Sequence, residues 1–138
     1  MILAKDTLTA CLAVPALFYL AAFQSAAVPK PQKGGSPELA KIKNPVAATP
    51  DSIAAGKRAY QRLCVKCHGP EGKGDGTAAT GAQPSDLTEA KTVYGSTDGD
   101  LFAVIHHGTS PDMEGYVGRL NDTEIWNIVN YVKTLRQP

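Results

Sequence analysis

The sequence of 138 residues is close to neutral, with 14 Lys and Arg residues against 13 Asp and Glu residues, so its total charge does not indicate a nucleic-acid partner. Its length suits one domain with an extension. The 88 residues from Asp51 to Pro138 would form only a marginal core without further stabilisation, such as a disulfide or a bound cofactor.

Residues 1–27 have the composition of a secretory signal peptide. No charge occurs between Thr7 and Pro29, the segment is strongly apolar, and small residues precede a possible cleavage site after Ala27. An uncleaved membrane anchor is the alternative, since the 21 uncharged residues Leu8–Val28 are about one bilayer span long. Lipidation at Cys11 is a further alternative, although its recognition box precedes the apolar run. Each interpretation places the rest of the chain on the far side of the inner membrane.

Residues 28–49 differ sharply in composition, because Pro, Gly and Lys replace the apolar residues. Prolines and glycines at this density disfavour regular structure. We therefore interpret residues 28–49 as a semi-extended, mildly basic linker, or as the disordered leader of a secreted protein. If the preceding apolar segment is retained, the linker would tether a domain of residues 50–138.

A helix is predicted to begin at Pro50, with Thr49 as the N-cap and an acid in the first turn. It should continue to the next cysteines. Gly56, Tyr60 and Cys64 follow at intervals of four and therefore share one face. A glycine inside a helix costs about 0.5–1 kcal/mol relative to Ala. We expect close approach of another helix at this glycine, the alternative being a glycine that the helix merely tolerates.

The helix leads into the pentapeptide Cys64-Val65-Lys66-Cys67-His68. The spacing Cys-x-x-Cys-His is typical of covalent attachment of a c-type haem. Both thiols reach one porphyrin, and the imidazole that follows can ligate the iron from one face. A zinc site or a thioredoxin-like centre is a remote alternative, because two cysteines and one histidine are too few ligands and no βαβ pattern surrounds them. Haem attachment at Cys64 and Cys67 would leave no disulfide available to the fold.

A glycine-rich loop follows, from Gly69 to Gly76, with several positions suited to positive φ. It lacks the strand, helix and Lys-Ser/Thr ending of a phosphate loop. An iron-ligating imidazole usually donates its second N–H to a carbonyl. The Pro84 carbonyl is the predicted acceptor for Nδ1 of His68, although Pro84 is also compatible with a simple turn.

Two further helices are predicted. The first covers Asp98–His107, with Gly108 after its last residue. The second begins with a capping-box pattern at Asn121 and carries one apolar side formed by Ile125, Ile128, Val129, Val132 and Leu135. No stretch shows sustained strand alternation and no internal repeat occurs, so the predicted fold class is all-α.

Met113 lies between these helices, in a segment rich in Gly, Pro and Asp, and is the only methionine besides Met1. An apolar side chain has no helix face to pack on there, and a thioether is a suitable sixth ligand to haem iron. We predict that Met113 is that ligand. His106 and His107 are the alternatives, together with an open or water-bound site.

Residues 50–135 resemble the class I c-type cytochromes of the short bacterial kind. The resemblance rests on Gly56…Tyr60…Cys64-x-x-Cys67-His68, Gly-x-Gly-Asp-Gly at 72–76, Pro84-x-Asp86-Leu87, Gly95-Ser96, Ile105-x-x-Gly108, Met113 and a terminal helix with Trp126 and Tyr131. It implies three main helices with loops wrapped round one covalent haem. It also implies that Gly56 and Tyr60 pack on Ile128 and Tyr131. The family usually has Met-Pro at the sixth ligand, where this chain has Met113-Glu114.

Iron with both axial positions filled has no place for a substrate, so the predicted function is one-electron transfer and not catalysis. The expected location is the periplasm, soluble or tethered to the inner membrane. Donor and acceptor proteins are the expected partners of a monomeric domain, which carries 9 Lys and Arg and 11 Asp and Glu residues from Asp51 onward and thus no excess of basic charge for docking. Two alternatives remain open: a dedicated cytochrome subunit of a dehydrogenase or oxidase, and an enzyme or sensor with an open haem face.

Overall fold

A computed structural model describes residues 27–78 and 83–136 of the chain. The described elements, in chain order, are α1 (Pro37–Ala40), α2 (Pro50–Leu63), α3 (Val65–His68), α4 (Asp98–His107), β1 (Gly108–Ser110), β2 (Met113–Glu114) and α5 (Asp122–Leu135). Three of the helices are long, as the sequence predicts, and the predicted all-α class is confirmed.

The long helices begin where their capping residues predict. The side chain of Thr49 accepts a hydrogen bond from the Ser52 amide at the start of α2. Asn121 forms a complete capping box with Glu124 at the start of α5. Since these caps satisfy backbone N–H groups that have no partner inside the helix, local sequence alone fixes both helix starts.

Helices α2 and α5 make the most extensive contact between any two elements described. Gly56 lies at this contact, and a Cβ there would overlap the main-chain carbonyl of Asn127. One turn further along α2, the ring of Tyr60 packs on that of Tyr131, with 5.2 Å between ring centroids. The predicted close approach of a second helix at Gly56 is therefore confirmed.

Helix α4 completes the core against α5. Phe102 stacks on Trp126 with 4.1 Å between ring centroids. Helix α4 ends at His107, and the next residue, Gly108, has a φ of 72°, which favours glycine over any side chain. The chain then turns into an antiparallel pair of β1 and β2 with an irregular register, which the sequence does not predict. Strands of three and two residues are too short to show a period-two pattern.

Residues 28–47, which we call the N-terminal extension, are folded onto the domain. Leu39, in helix α1, is completely buried, and α1 packs against α4. The main-chain N–H of Ser36 donates to the buried carboxylate of Asp100 at 3.2 Å, and that of Gly34 donates to the Val93 carbonyl at 2.7 Å. The predicted semi-extended linker is therefore wrong for this part of the chain.

The end of the N-terminal extension is held by a partly buried network of amide side chains. Nδ2 of Asn44 donates to the Trp126 carbonyl at 3.1 Å and to Oδ1 of Asn130 at 2.8 Å. Nδ2 of Asn130 in turn donates to the Val46 carbonyl at 3.0 Å. The low helix propensity of Pro and Gly correctly indicates short, irregular structure in this segment. It carries no information on tertiary contacts such as these.

None of the helices in residues 27–78 and 83–136 is long and apolar enough to span a membrane. The predicted signal peptide or anchor lies almost wholly in residues 1–26, together with Cys11, and so falls outside the described residues. The domain boundary at residue 50 remains a prediction.

Candidate haem site

The predicted site residues surround one cavity of about 380 Å³, a volume within the usual range of ligand pockets. Its lining includes all five of them, namely Cys64, Cys67, His68, Pro84 and Met113. Apolar side chains of α4 and α5 form much of the remaining wall: Leu101, Val104, Ile105, Ile128 and Val132. The fold thus brings together residues that are up to 49 positions apart in the sequence.

Cys64 is the residue that joins α2 to α3, and Cys67 lies in α3, three positions later. The amides of Cys67 and His68 both donate to the Cys64 carbonyl, at 3.1 and 2.9 Å, so the chain continues into α3 without losing its helical path. Burial, and then the neighbouring Cys67, raise the pKa of the Cys64 thiol to about 12. Reactive cysteines need a lowered pKa, so this environment suits a neutral sulfur and disfavours a catalytic thiolate. Both thiols are unpaired.

His68 is oriented by a main-chain carbonyl. Its Nδ1 lies 3.1 Å from the carbonyl oxygen of Ser85. A carbonyl can only accept, so Nδ1 carries the proton and Nε2 keeps its lone pair for a metal. Burial lowers the pKa of His68 despite this hydrogen bond, which favours the neutral imidazole that ligation requires.

The predicted acceptor, Pro84, is wrong by one residue. The Pro84 carbonyl instead faces Gly74, where a Cβ would lie 2.5 Å from its oxygen. Nothing in the sequence distinguishes the carbonyls of adjacent residues, because the choice depends on how the loop around residues 83–87 rests on the glycine-rich loop. Pro84 nevertheless lines the cavity.

Hydrogen bonds hold the glycine-rich loop, residues 69–76, against α2 and α3. The hydroxyl of Tyr60 donates to the Gly69 carbonyl at 2.8 Å, and the Gly74 amide donates to the His68 carbonyl at 2.9 Å. Gly69, Gly72 and Gly74 have positive φ, as predicted for this loop. The loop therefore fixes the backbone that carries His68.

Met113 reaches the cavity from strand β2. The hydroxyl of Ser110 accepts from its main-chain N–H at 3.2 Å, which closes the turn of the hairpin. The two rival histidines do not line the cavity. His106 stacks on Phe102, and Nε2 of His107 donates to the Val28 carbonyl at 2.8 Å. Ligation of iron by Met113 remains a prediction, and the geometry favours it over both histidines.

The residues present fit a covalently bound haem. The cavity is mainly apolar, and it offers two thiols, one imidazole with its Nε2 lone pair available and one thioether, which is the donor set of a His/Met haem. Among the described residues, no group of three or more His, Cys, Asp or Glu side chains is placed to hold a metal ion.

A sequence model of the family described as Cytochrome c matches residues 53–136. Among curated proteins, the chain is 35% identical over 82 residues to the Cbb3-type cytochrome c oxidase subunit FixP of Bradyrhizobium sp. (strain ORS 278), covering 59% of this chain and 27% of that protein. It is 32% identical over 95 residues to the Cbb3-type cytochrome c oxidase subunit CcoP of Azospirillum sp. (strain B510), covering 67% and 31%. The chain therefore spans about a third or less of these relatives.

Two solved structures share the architecture. A chain of the reducing HAO-like protein complex Kustc0457/Kustc0458 of Kuenenia stuttgartiensis has a TM-score of 0.63 and 33% identity, covering 71% of this chain and 49% of that one. Cytochrome cL of Methylophaga aminisulfidivorans MPT has a TM-score of 0.55 and 24% identity, covering 63% and 55%. The second likeness shows the fold alone.

Proposed function

The chain belongs to the cytochrome c family, and from that premise we propose that it carries single electrons through a haem whose iron is ligated by His68 and Met113. Family membership implies a haem c bound covalently through Cys64 and Cys67, which have the required spacing. The observation that carries the proposal is the placement of both ligand side chains on one mainly apolar cavity. When bound, the haem supplies a one-electron iron couple.

The protein residues then have distinct tasks. His68 offers Nε2 in a tautomer fixed by the Ser85 carbonyl, so the imidazole needs no reorganisation between redox states. Met113 offers a thioether, which favours the ferrous state and raises the potential relative to a second histidine. The apolar side chains of α4 and α5 exclude water from the cavity. With His68 and Met113 both bound, the iron would have no position left for a substrate, so the domain would act as an electron carrier and not as an enzyme by itself.

Ligation by Met113 is tested by carbon monoxide binding to the reduced, haem-loaded protein. We expect no binding by the parent protein and binding by Met113→Ala, because the substitution opens the sixth position. His106→Ala and His107→Ala are the matched controls and should behave as the parent does. Binding of carbon monoxide by the parent, or by a histidine variant in place of Met113→Ala, would exclude the proposed ligand set.

The redox potential gives a second test. Met113→His keeps the iron six-coordinate but replaces the thioether with an imidazole. Because axial ligands shift haem potentials within a span of about 0.8 V, we expect a clear fall of the midpoint. An unchanged midpoint would remove Met113 from the iron.

We further propose that the chain works beyond the inner membrane and can serve as the cytochrome subunit of an oxidoreductase complex. Two observations support this: the apolar N-terminal segment of the sequence, and the names of the curated relatives, which describe oxidase subunits. Purification of the native protein under mild conditions distinguishes a free carrier from a subunit, since a subunit co-purifies at a fixed stoichiometry. Recovery only as a monomer would favour the free carrier.

A further inference from the structure

Arg136, the last described residue, has a guanidinium group that lacks an anion. Its Nη1 donates to the Ser96 carbonyl at 2.9 Å. Its Nε and Nη2 are buried from solvent and have no hydrogen-bond partner in the part of the chain that the structure describes. Buried polar groups are almost always paired, so two orphaned donors on one charged group need an explanation.

The neighbouring carboxylate does not supply that anion. Burial lowers the pKa of Arg136, and Asp98 opposes this shift through its charge. However, Asp98 already pairs with Nζ of Lys133 and accepts from the main-chain N–H of Asn44. A buried cation without a bonded counter-ion is strongly destabilising. No carboxylate among the described residues is hydrogen-bonded to Arg136.

The position of Arg136 indicates which anion this is. Arg136 directly follows α5, whose residue Val132 lines the haem cavity, and Tyr94, two residues before Ser96, lines it as well. Arg136 thus links two walls of the cavity at its edge, without lining it. Haem brings two propionate carboxylates, which project from the edge of the porphyrin ring. We propose that Arg136 is the counter-ion of a haem propionate.

This role rests on the haem attached at Cys64 and Cys67, and it is independent of Met113 and of the electron-carrier function. A guanidinium presents its N–H groups in a planar fork that matches a carboxylate. It would offset the negative charge of the propionate close to the iron. A cation near the iron favours the ferrous state, so Arg136 raises the midpoint potential.

The test uses the full, haem-loaded chain and a spectroelectrochemical titration at pH 7. Arg136→Gln removes the charge and should lower the midpoint, whereas Arg136→Lys keeps the charge and should retain most of the parent value. Arg58→Gln, an exposed site on α2, is the matched control for loss of one positive charge and should not shift the midpoint. The α absorption band and the response to carbon monoxide should stay as in the parent, which separates this role from axial ligation.

Two results would overturn the proposal. One is a midpoint of Arg136→Gln equal to that of Arg58→Gln, and the other is an equal fall for Arg136→Lys and Arg136→Gln. If Arg136→Gln does not accumulate with haem, redox-difference infrared spectra of the parent and Arg136→Lys decide the matter. Exchange of guanidinium for ammonium should shift the redox-sensitive carboxylate band, with Arg58→Lys as the control, and an unshifted band would refute the contact.

Discussion

Replacement of Leu39 by Ala tests whether the N-terminal extension is part of the folded domain. Leu39 is completely buried although its helix, α1, has only four residues. A Cβ at Gly99 of α4 would overlap the Leu39 carbonyl, so the two helices are in close contact. Truncation of a buried Leu costs about 2–5 kcal/mol, because transfer free energy is lost and a cavity remains.

The loss of folding free energy in Leu39→Ala has an upper limit, which is set by how much the N-terminal extension contributes to stability. If the damaged extension detaches while the remainder stays folded, the loss cannot exceed what the extension contributes. We therefore expect about 2–3 kcal/mol, at the lower end of the range for buried Leu→Ala substitutions. For a domain of this size, such a loss lowers the Tm by about 10–20 °C.

The assay is guanidinium and thermal unfolding of the haem-loaded protein, followed by far-ultraviolet circular dichroism and by the haem absorption. Lys41→Ala is the matched control, since Lys41 lies in the same segment with an exposed side chain and should change stability by less than about 0.5 kcal/mol. Limited trypsin cleavage after Lys43, a site that both variants keep, reports detachment directly and should accelerate in Leu39→Ala. Equal stability of the two variants would refute the packed extension and restore the linker interpretation.

Three further substitutions test the helix contact, the loop and the acid stability. Gly56→Ala should destabilise the protein by about 3 kcal/mol, since the new methyl group meets main-chain atoms of α5 that cannot move aside, and chemical unfolding against Lys57→Ala measures this. Tyr60→Phe removes the shorter of two hydrogen bonds to the Gly69 carbonyl and leaves the one from the Gly72 amide, so unfolding should show a loss of about 0.5–1.5 kcal/mol while the visible spectrum is kept. Burial raises the pKa of Asp98, but the hydrogen bonds from Lys133 and the main chain outweigh it and leave the pKa below its usual value. This stabilisation is present above the ordinary Asp pKa and is lost as pH falls through the lower folded value. Asp98→Asn should therefore cost less than about 1 kcal/mol at pH 7, and the cost should shrink as the pH is lowered below the ordinary Asp range. A cost that does not shrink in acid would contradict the assignment.

Local sequence determined the parts of the structure that depend on neighbours in the chain. The starts of α2 and α5 follow from Thr49 and Asn121, whose side chains bond to amides three residues away. The haem motif is equally local, because its spacing alone places two thiols and an imidazole on adjoining turns. Gly56 was informative for a different reason: a residue that is unfavourable in a helix indicates a compensating contact.

The errors concern contacts between distant segments. Ser85, and not Pro84, is the partner of His68. To predict this, one must know how the loop around residues 83–87 packs on the glycine-rich loop, and residue types do not reveal such packing. Residues 28–47 were interpreted as a linker because composition indicates whether helix or strand is favoured, but it does not indicate whether a segment is buried against the domain. Leu39 is the one large apolar residue of α1, and its burial depends on the contact of α1 with α4.

The segment from Thr92 to Ser96 shows why such contacts matter for the haem. Thr92 and Tyr94 line the cavity, yet this segment contains no helix or strand of its own. The Gly34 amide holds the Val93 carbonyl from one side, and Arg136 holds the Ser96 carbonyl from the other.

One of these supports lies in the N-terminal extension, before the region of the cytochrome c match, which begins at residue 53. A fold of fewer than 100 residues has little core of its own to keep such a loop in place. The N-terminal extension and the residue after α5 therefore hold this wall of the cavity in place, a role that a larger hydrophobic core would have in a longer protein. Loosening either support should disturb the haem environment before it unfolds the helices.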